Sequence, residues 1–405
     1  MNNDHVADAA LIAALSDVLE GARGCFEHYK RQEELGVWLP HPSPSIDELA
    51  KPIIAAMEAH PKFKENENRF FGSKQLMRHA FYQSRNLLKV AVDRGPLAAV
   101  AWYHKVHSAE RADLRYVAEV YGLKVVNRVT LSNRVSLVPL EDLPPSDNAK
   151  AVKAQFEITP RRLPLSILPL PIGAILEIQD VPGYSWENPN RDQTVPPRSD
   201  ELERTLRAFT LVKEASPVVG TSWLEFVDDD LRMAEFGMMR MTPRFEGMLS
   251  FSTIDVDPEA IEWVELYLNL SASLRPQCDV AIERLNLARR RSSAGNKAIE
   301  GGICLEALLG ADANQEITYR LRLRAALLLS ADFNERREIS KAVNEFYALR
   351  SKTVHGAQYE PGNIQKNDPC AALGLDICAR VLRKIVSLNK KFVPEDWELA
   401  GGQPQ

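Results

Sequence analysis

Apolar side chains recur at three- and four-residue steps along Val6 to Tyr29, Ile46 to Ala59 and Ser73 to Asp93, and this spacing predicts helices with one buried face. The polar loop His41 to Ser45 separates the first two, and Pro52 marks a point where the second can restart. From about Leu114 to Ile254 the pattern changes. Arg128 to Val138 alternates as two short strands around Ser132 and Asn133, and Ala174 to Ile178 and Trp223 to Val227 also have strand texture. Pro144, Pro145, Pro196 and Pro197 place long loops between them. From Asp257 onward the helical period returns, with Asp257 as N-cap and Pro258 in the first turn. A helix is expected from Glu335 to Val354, where Ile339, Val343, Phe346 and Leu349 share a stripe and Gly356 supplies the stop. The fold class that follows is an α+β multidomain chain. It has an N-terminal helical region at 1–112, a β-rich module at 113–255, an all-α helical bundle at 256–395 and a flexible tail at 396–405.

Composition narrows the class. A chain of 405 residues with 45% hydrophobic and 26% charged positions is long enough for two or three domains with ordinary cores. Its formal charge of −5 argues against a protein that coats nucleic acid nonspecifically, so any such contact should be local. No basic n-region precedes an apolar stretch at the N-terminus, so no secretory signal is expected. The most apolar run, Leu163 to Ile178, is broken by Pro164, Pro169 and Pro171 and is too short to span a bilayer, so strands or loop are expected there. Cys25, Cys278, Cys304, Cys370 and Cys378 are scattered, without a CxxC pair, which points to a reducing compartment and away from a zinc knuckle. A cytoplasmic protein without a membrane segment is the expectation.

One chemical lead stands out. The chain holds eight histidines, and beyond His107 there is only His355, which closes the run Arg350-Ser351-Lys352-Thr353-Val354-His355-Gly356. Histidine moves protons near neutral pH, and arginine is the preferred partner of phosphate. In the last turn of a helix the macrodipole favours an imidazolium. Positions five apart diverge by roughly 140° on an ideal helix, so either the helix unwinds at His355 or the two residues belong to a cleft shared with a second copy. Elsewhere His104 and His107, with Tyr103 and Glu110, read as a helix-surface pair rather than a metal site, and Asp228-Asp229-Asp230 as an acidic turn closing a strand pair. No glycine-rich phosphate loop, Gly-x-Ser-x-Gly elbow or His-Glu-x-x-His motif occurs, and neither a metal nor a cofactor is expected.

The lead gains weight from its surroundings. The stretches Asn296 to Gly310, Glu316 to Leu329 and Phe346 to Gly356, in that order and spacing, resemble the HEPN superfamily, specifically its Apea-like branch, over roughly residues 257 to 392. The resemblance implies a small helical bundle that dimerises so that two Arg-x4-His motifs face each other, and an activity as a metal-independent ribonuclease of toxin or antiviral systems. By position Arg350 and His355 match the family's catalytic pair. Ser351 fills the polar position that often follows the arginine, and Glu306 matches a recurrent acidic position. Lys352, Arg320 and Arg324 are the further candidates for contact with RNA.

RNA carries its own nucleophile, the 2′-OH, so a base that takes its proton lets that oxygen attack the neighbouring phosphorus without a metal. His355 would be that base or, from a second subunit, the acid that protonates the departing 5′-oxygen, while Arg350 would hold the phosphate. The expected partners are RNA, including tRNA as a candidate substrate, a second copy of the chain, and an unidentified trigger ligand or protein at the regulatory N-terminal region. Two alternatives remain: an inert HEPN scaffold that dimerises or binds nucleotide, and a ligand or protein receptor whose helical bundle serves assembly.

Overall fold

The computed structural model describes residues 3–35, 42, 44–65, 80–109, 111–143, 145–146, 148–150, 152–153, 174–185, 198–214, 216–234, 240–241, 253–310, 316–356 and 364–390. Expectations for residues 73–79, the 163–173 part of the apolar run, Pro144, Pro196 and Pro197, and the 396–405 tail lie outside these residues. The described chain is mostly helical, with a strand-containing middle, an α+β arrangement. It forms two compact units, one made of Met1–Tyr116, Gln179–Pro196 and Trp223–Met239, the other of Val117–Ile178, Pro197–Ser222 and Arg240–Gln405. Residues 113–255 are thus divided between the two.

The first unit is built on α1 (Asn3–Leu35), α2 (Ile46–Ala59), α3 (Pro61–Glu65), α4 (Ala80–Arg94) and α5 (Pro96–Ser108). A capping box starts α2: the Ser45 hydroxyl accepts from the Glu48 amide and the Glu48 carboxylate accepts from the Ser45 amide. Pro52 lies inside α2, so the expected restart does not occur. Its face of Ile46, Ala50, Ile53 and Met57 is buried, and that packing outweighs the one helical hydrogen bond a proline removes. Gly95, at φ +92°, turns the chain between α4 and α5 where a side chain would be strained. Leu11, Leu15, Ile53, Met57, Leu87 and Tyr103 form the centre of the core.

The strands are β1 (Arg111–Tyr121), β2 (Leu123–Lys124), β3 (Val129–Thr130), β4 (Val135–Pro139), β5 (Ala174–Ser185), β6 (Val218–Phe226), β7 (Arg240–Met241) and β8 (Ile254–Asp255). Their sheet order is β3-β4-β5-β1-β6-β7, with β2 and β8 as a separate parallel pair. The expected hairpin is present: Val129 stands opposite Leu137, and Arg134 takes the left-handed turn position at φ +66°. Strand β1 has no alternating pattern because Arg115 through Val120 are all buried, as in a strand covered on both faces. Between β5 and β6 lies α6 (Arg198–Ala208), and α7 (Asp229–Met233) follows β6.

The C-terminal helices are α8 (Pro258–Leu268), α9 (Arg275–Arg290), α10 (Ala294–Leu309), α11 (Ile317–Leu329), α12 (Phe333–Val354) and α13 (Ile364–Leu388). Asp257 caps α8 by accepting from the Ala260 amide at 2.8 Å, as its sequence position implied. Glycines let three of these helices approach closely. A Cβ at Gly374 would lie 2.1 Å from the Phe346 ring, one at Gly301 2.6 Å from the same ring, and one at Gly295 2.5 Å from the Thr353 hydroxyl. Phe346, fully buried, therefore occupies space that only two glycines leave open, which fixes α12 against α10 and α13. Among the described residues no helix is long and apolar enough to cross a membrane.

Replacing Gly374 with alanine should destabilise the second unit by about 1–3 kcal/mol through overpacking against Phe346. Leu373→Ala, one position away and half exposed, should cost less than the glycine change. Urea unfolding of the two variants beside wild type checks the order.

Candidate active site

Helices α10 and α12 bring together Glu306, Tyr347 and Arg350. On α10, Gly302 and Glu306 are four residues apart and share a face; on α12, Tyr347 and Arg350 are three apart and do the same. The Arg350 stem lies over Gly302, where a Cβ would stand 3.3 Å from Arg350 Cγ. Arg350 Nη2 is 3.3 Å from Glu306 Oε1, and the Tyr347 hydroxyl donates to that same oxygen at 2.5 Å. The guanidinium carbon sits 5.1 Å from the centre of the Tyr347 ring, in cation–π range. Burial, then the bond to Glu306, pushes the Tyr347 phenol up to about 12, so it remains a donor at neutral pH. Arg350 Nε is buried and has no acceptor among the described residues.

His355 is the residue at which α12 stops. Its φ and ψ of −86° and 12° leave the helix, its amide donates to the Ser351 carbonyl at 3.1 Å, and Gly356 follows at φ +73°. The helix ends at His355. The imidazole is exposed, as is Lys352, while Ser351 is half-buried. Arg320 is half-buried on α11. Arg324 has a different role from RNA contact: it is buried, and its Nη1 donates at 2.5 Å to the carbonyl of Leu309, the last residue of α10. A buried guanidinium that satisfies an orphan helix-end carbonyl is a cap.

Sequence reasoning missed Tyr347 and Gly302. The signal available for Tyr347 was its place three residues before Arg350, one turn back on the same face. For Gly302 nothing in the helical period singles out a backbone surface against which an arginine stem lies.

No family model matches this chain, no curated protein matches it, and no solved structure matches it.

A second cluster lies in the first unit. Asp8 of α1, His60 between α2 and α3, and His104 of α5 place their donor atoms within 4.8 Å of one another. Asp8 Oδ1 is 3.0 Å from His60 Nε2 and 2.7 Å from His104 Nε2. The ring nitrogens on the far sides decide the chemistry. His60 Nδ1 accepts from the Lys62 amide at 3.2 Å, and His104 Nδ1 faces the Lys62 ammonium at 3.3 Å. Both Nδ1 atoms are thus acceptors, so both Nε2 atoms carry protons and donate to Asp8. A metal-bound imidazole needs the reverse, a bare Nε2 and a donating Nδ1. The cluster is a hydrogen-bonded clamp, and His104 belongs to it instead of forming the expected surface pair; the His107 side chain and Glu110 lie outside the described residues.

The acidic turn is also accounted for. Asp228 caps α7 by accepting from the Asp230 and Leu231 amides, Lys105 bridges Asp228 and Asp230 at 2.9 and 2.8 Å, and Arg94 adds a contact to Asp230 at 3.1 Å. The cations that hold these carboxylates are protein side chains. The five cysteines are free thiols, and all but Cys370 are buried. Burial pushes the Cys25 thiol up and the Cys278 thiol up to about 12, the opposite of a reactive nucleophile.

Burial pushes the Asp8 carboxyl up, but the hydrogen bonds from His60 and His104 outweigh it and hold the group below its ordinary 3.8. A carboxyl depressed in the folded state stabilises above its unfolded pKa and loses that contribution as pH falls through the folded value. Asp8→Ala should therefore cost about 1–3 kcal/mol at pH 7, leaving the buried His60 N–H without its acceptor. The gap to wild type should narrow as pH drops below about 4. Urea unfolding between pH 3 and pH 7 measures both effects.

Proposed function

We propose that the C-terminal helices, residues 256–395, form a HEPN-type endoribonuclease that works as a homodimer under control of the N-terminal region, in antiviral defence or a toxin-like stress response. The observation that carries the reading is the end of α12: an exposed imidazole at the helix stop, five residues after an arginine whose buried Nε has no acceptor among the described residues. In the reaction His355 accepts the 2′-OH proton, the oxygen attacks phosphorus, and the 5′-oxygen leaves with a proton. The ends produced are a 2′,3′-cyclic phosphate and a 5′-hydroxyl. One imidazole cannot serve as base and acid in a single attack, and a two-fold axis would bring in a second histidine as the acid. Arg350 stabilises the charge on the pentavalent phosphorane. Ser351 and Lys352 lie beside it in sequence, and half-buried Arg320 stays a candidate for RNA contact.

The Glu306 contact to Arg350 favours a second reading, an inert scaffold in which this pair holds two helices together. Catalysis separates the two. Purified protein incubated in EDTA with total RNA and tRNA should cut RNA, and His355→Ala should lower the rate by about 10²- to 10⁴-fold with helicity and oligomeric state unchanged. Equal rates for the two proteins, or no cleavage by either, would favour the scaffold.

Arg350→Lys should lose nearly as much activity as Arg350→Ala, because an ammonium keeps the charge without the planar pair of donors. Cleavage rates at saturating RNA test this. Full activity in the lysine variant would reduce Arg350 to a point charge.

A further inference from the structure

We propose that Tyr347 keeps Arg350 open as a seat for a phosphate-type anion by restraining Glu306, the carboxylate placed to close that seat. The inference rests on the reading of Arg350 as the phosphate-holding residue, but it concerns binding and is tested without cleavage.

A guanidinium has five N–H donors in a fixed plane and ordinarily meets a carboxylate through two parallel bonds. Arg350 and Glu306 do not meet that way. Glu306 Oε1 approaches Nη2 alone, at 3.3 Å, and Nε is left buried with no acceptor among the described residues. The reason lies in Tyr347, whose hydroxyl donates to the same Oε1 at 2.5 Å and whose ring lies beside the guanidinium carbon at 5.1 Å. The phenol draws the carboxylate to one prong while its ring supports the fork. Gly302 sets the position from below, since the Arg350 stem rests where a side chain would stand.

A buried donor without an acceptor is costly, and here it is the donor next to a partly exposed cation. A tetrahedral oxyanion supplies acceptors in several directions and suits a fork that a carboxylate engages on one side only. Phosphate, free or as the diester of a nucleic acid backbone, is the ligand class. Without the phenol hydroxyl, Glu306 is released to swing onto Nη2 and Nε together, which would fill the fork from within.

The test is titration of inorganic phosphate with the full-length protein at low salt, followed by broadening of the 31P NMR line. Tyr347→Phe, which keeps the ring, should weaken phosphate binding on the order of tenfold. Adding Glu306→Ala to that variant should bring affinity back to within about threefold of wild type, because the internal competitor is gone. Arg350→Ala should abolish the broadening. A structural role for Tyr347 would not be rescued by a second truncation, and thermal unfolding of each variant confirms that it is folded. The proposal is overturned if wild type does not broaden the line, if Arg350→Ala leaves the broadening intact, if Tyr347→Phe binds as wild type does, or if Glu306→Ala fails to restore binding. A chain that shows the expected pattern yet leaves RNA whole overturns the ribonuclease reading alone.

Discussion

Phe346 is held between two glycines, Gly301 and Gly374, at distances that leave no room for a methyl group on either. Interiors are packed to crystal-like density, so this contact fixes how far α12 stands from α10 and at what rotation. The candidate site follows from it. One turn beyond Phe346 the Arg350 stem comes down on Gly302, and one turn beyond Gly302 the Glu306 carboxylate reaches the guanidinium. A shift between the two helices would separate these groups before it opened the core, since their contacts are single and directional.

Several carboxylates in both units are each shared among more than one donor. In the first unit Glu225 accepts from Arg115 Nε at 2.6 Å and from Trp223 Nε1 at 2.8 Å, with all three residues buried. Asp8 accepts from two imidazoles, and in the second unit Glu300 takes Arg291 at 2.7 Å and Arg284 at 3.2 Å. Such pairs return little net stability, because desolvation opposes their attraction, but losing one partner strands the other. Glu306 differs from them. Its partner Arg350 keeps a buried Nε that no described residue meets.

The two imidazole sites show how the same side chain takes opposite roles from its surroundings. His60 is enclosed, its Nδ1 engaged by the amide of Lys62 and its Nε2 by Asp8, so neither nitrogen is available for proton exchange without breaking a bond. His355 stands exposed at a helix stop, with its backbone amide on Ser351 and its side chain in solvent. A group that shuttles protons needs the second situation.

Local features were legible in the amino-acid sequence. The α8 cap at Asp257, the hairpin around Ser132 and Asn133, and a long helix ending just before His355 follow from neighbours within a few residues, where propensity, capping and period act. Arg350 and His355 were raised for the same reason, by residue type and spacing, whereas Glu306 was raised only by the family resemblance of its stretch. What lies across helices came from the folded arrangement. It assigned Arg324 to the Leu309 carbonyl instead of to solvent, joined His104 to Asp8 across most of a hundred residues, and set Tyr347 between Glu306 and Arg350. It also buried β1 on both faces, which erased the alternation that would have announced it. A cap, a clamp or a buried strand depends on which distant surface covers a residue, and helical period records only that a face is covered.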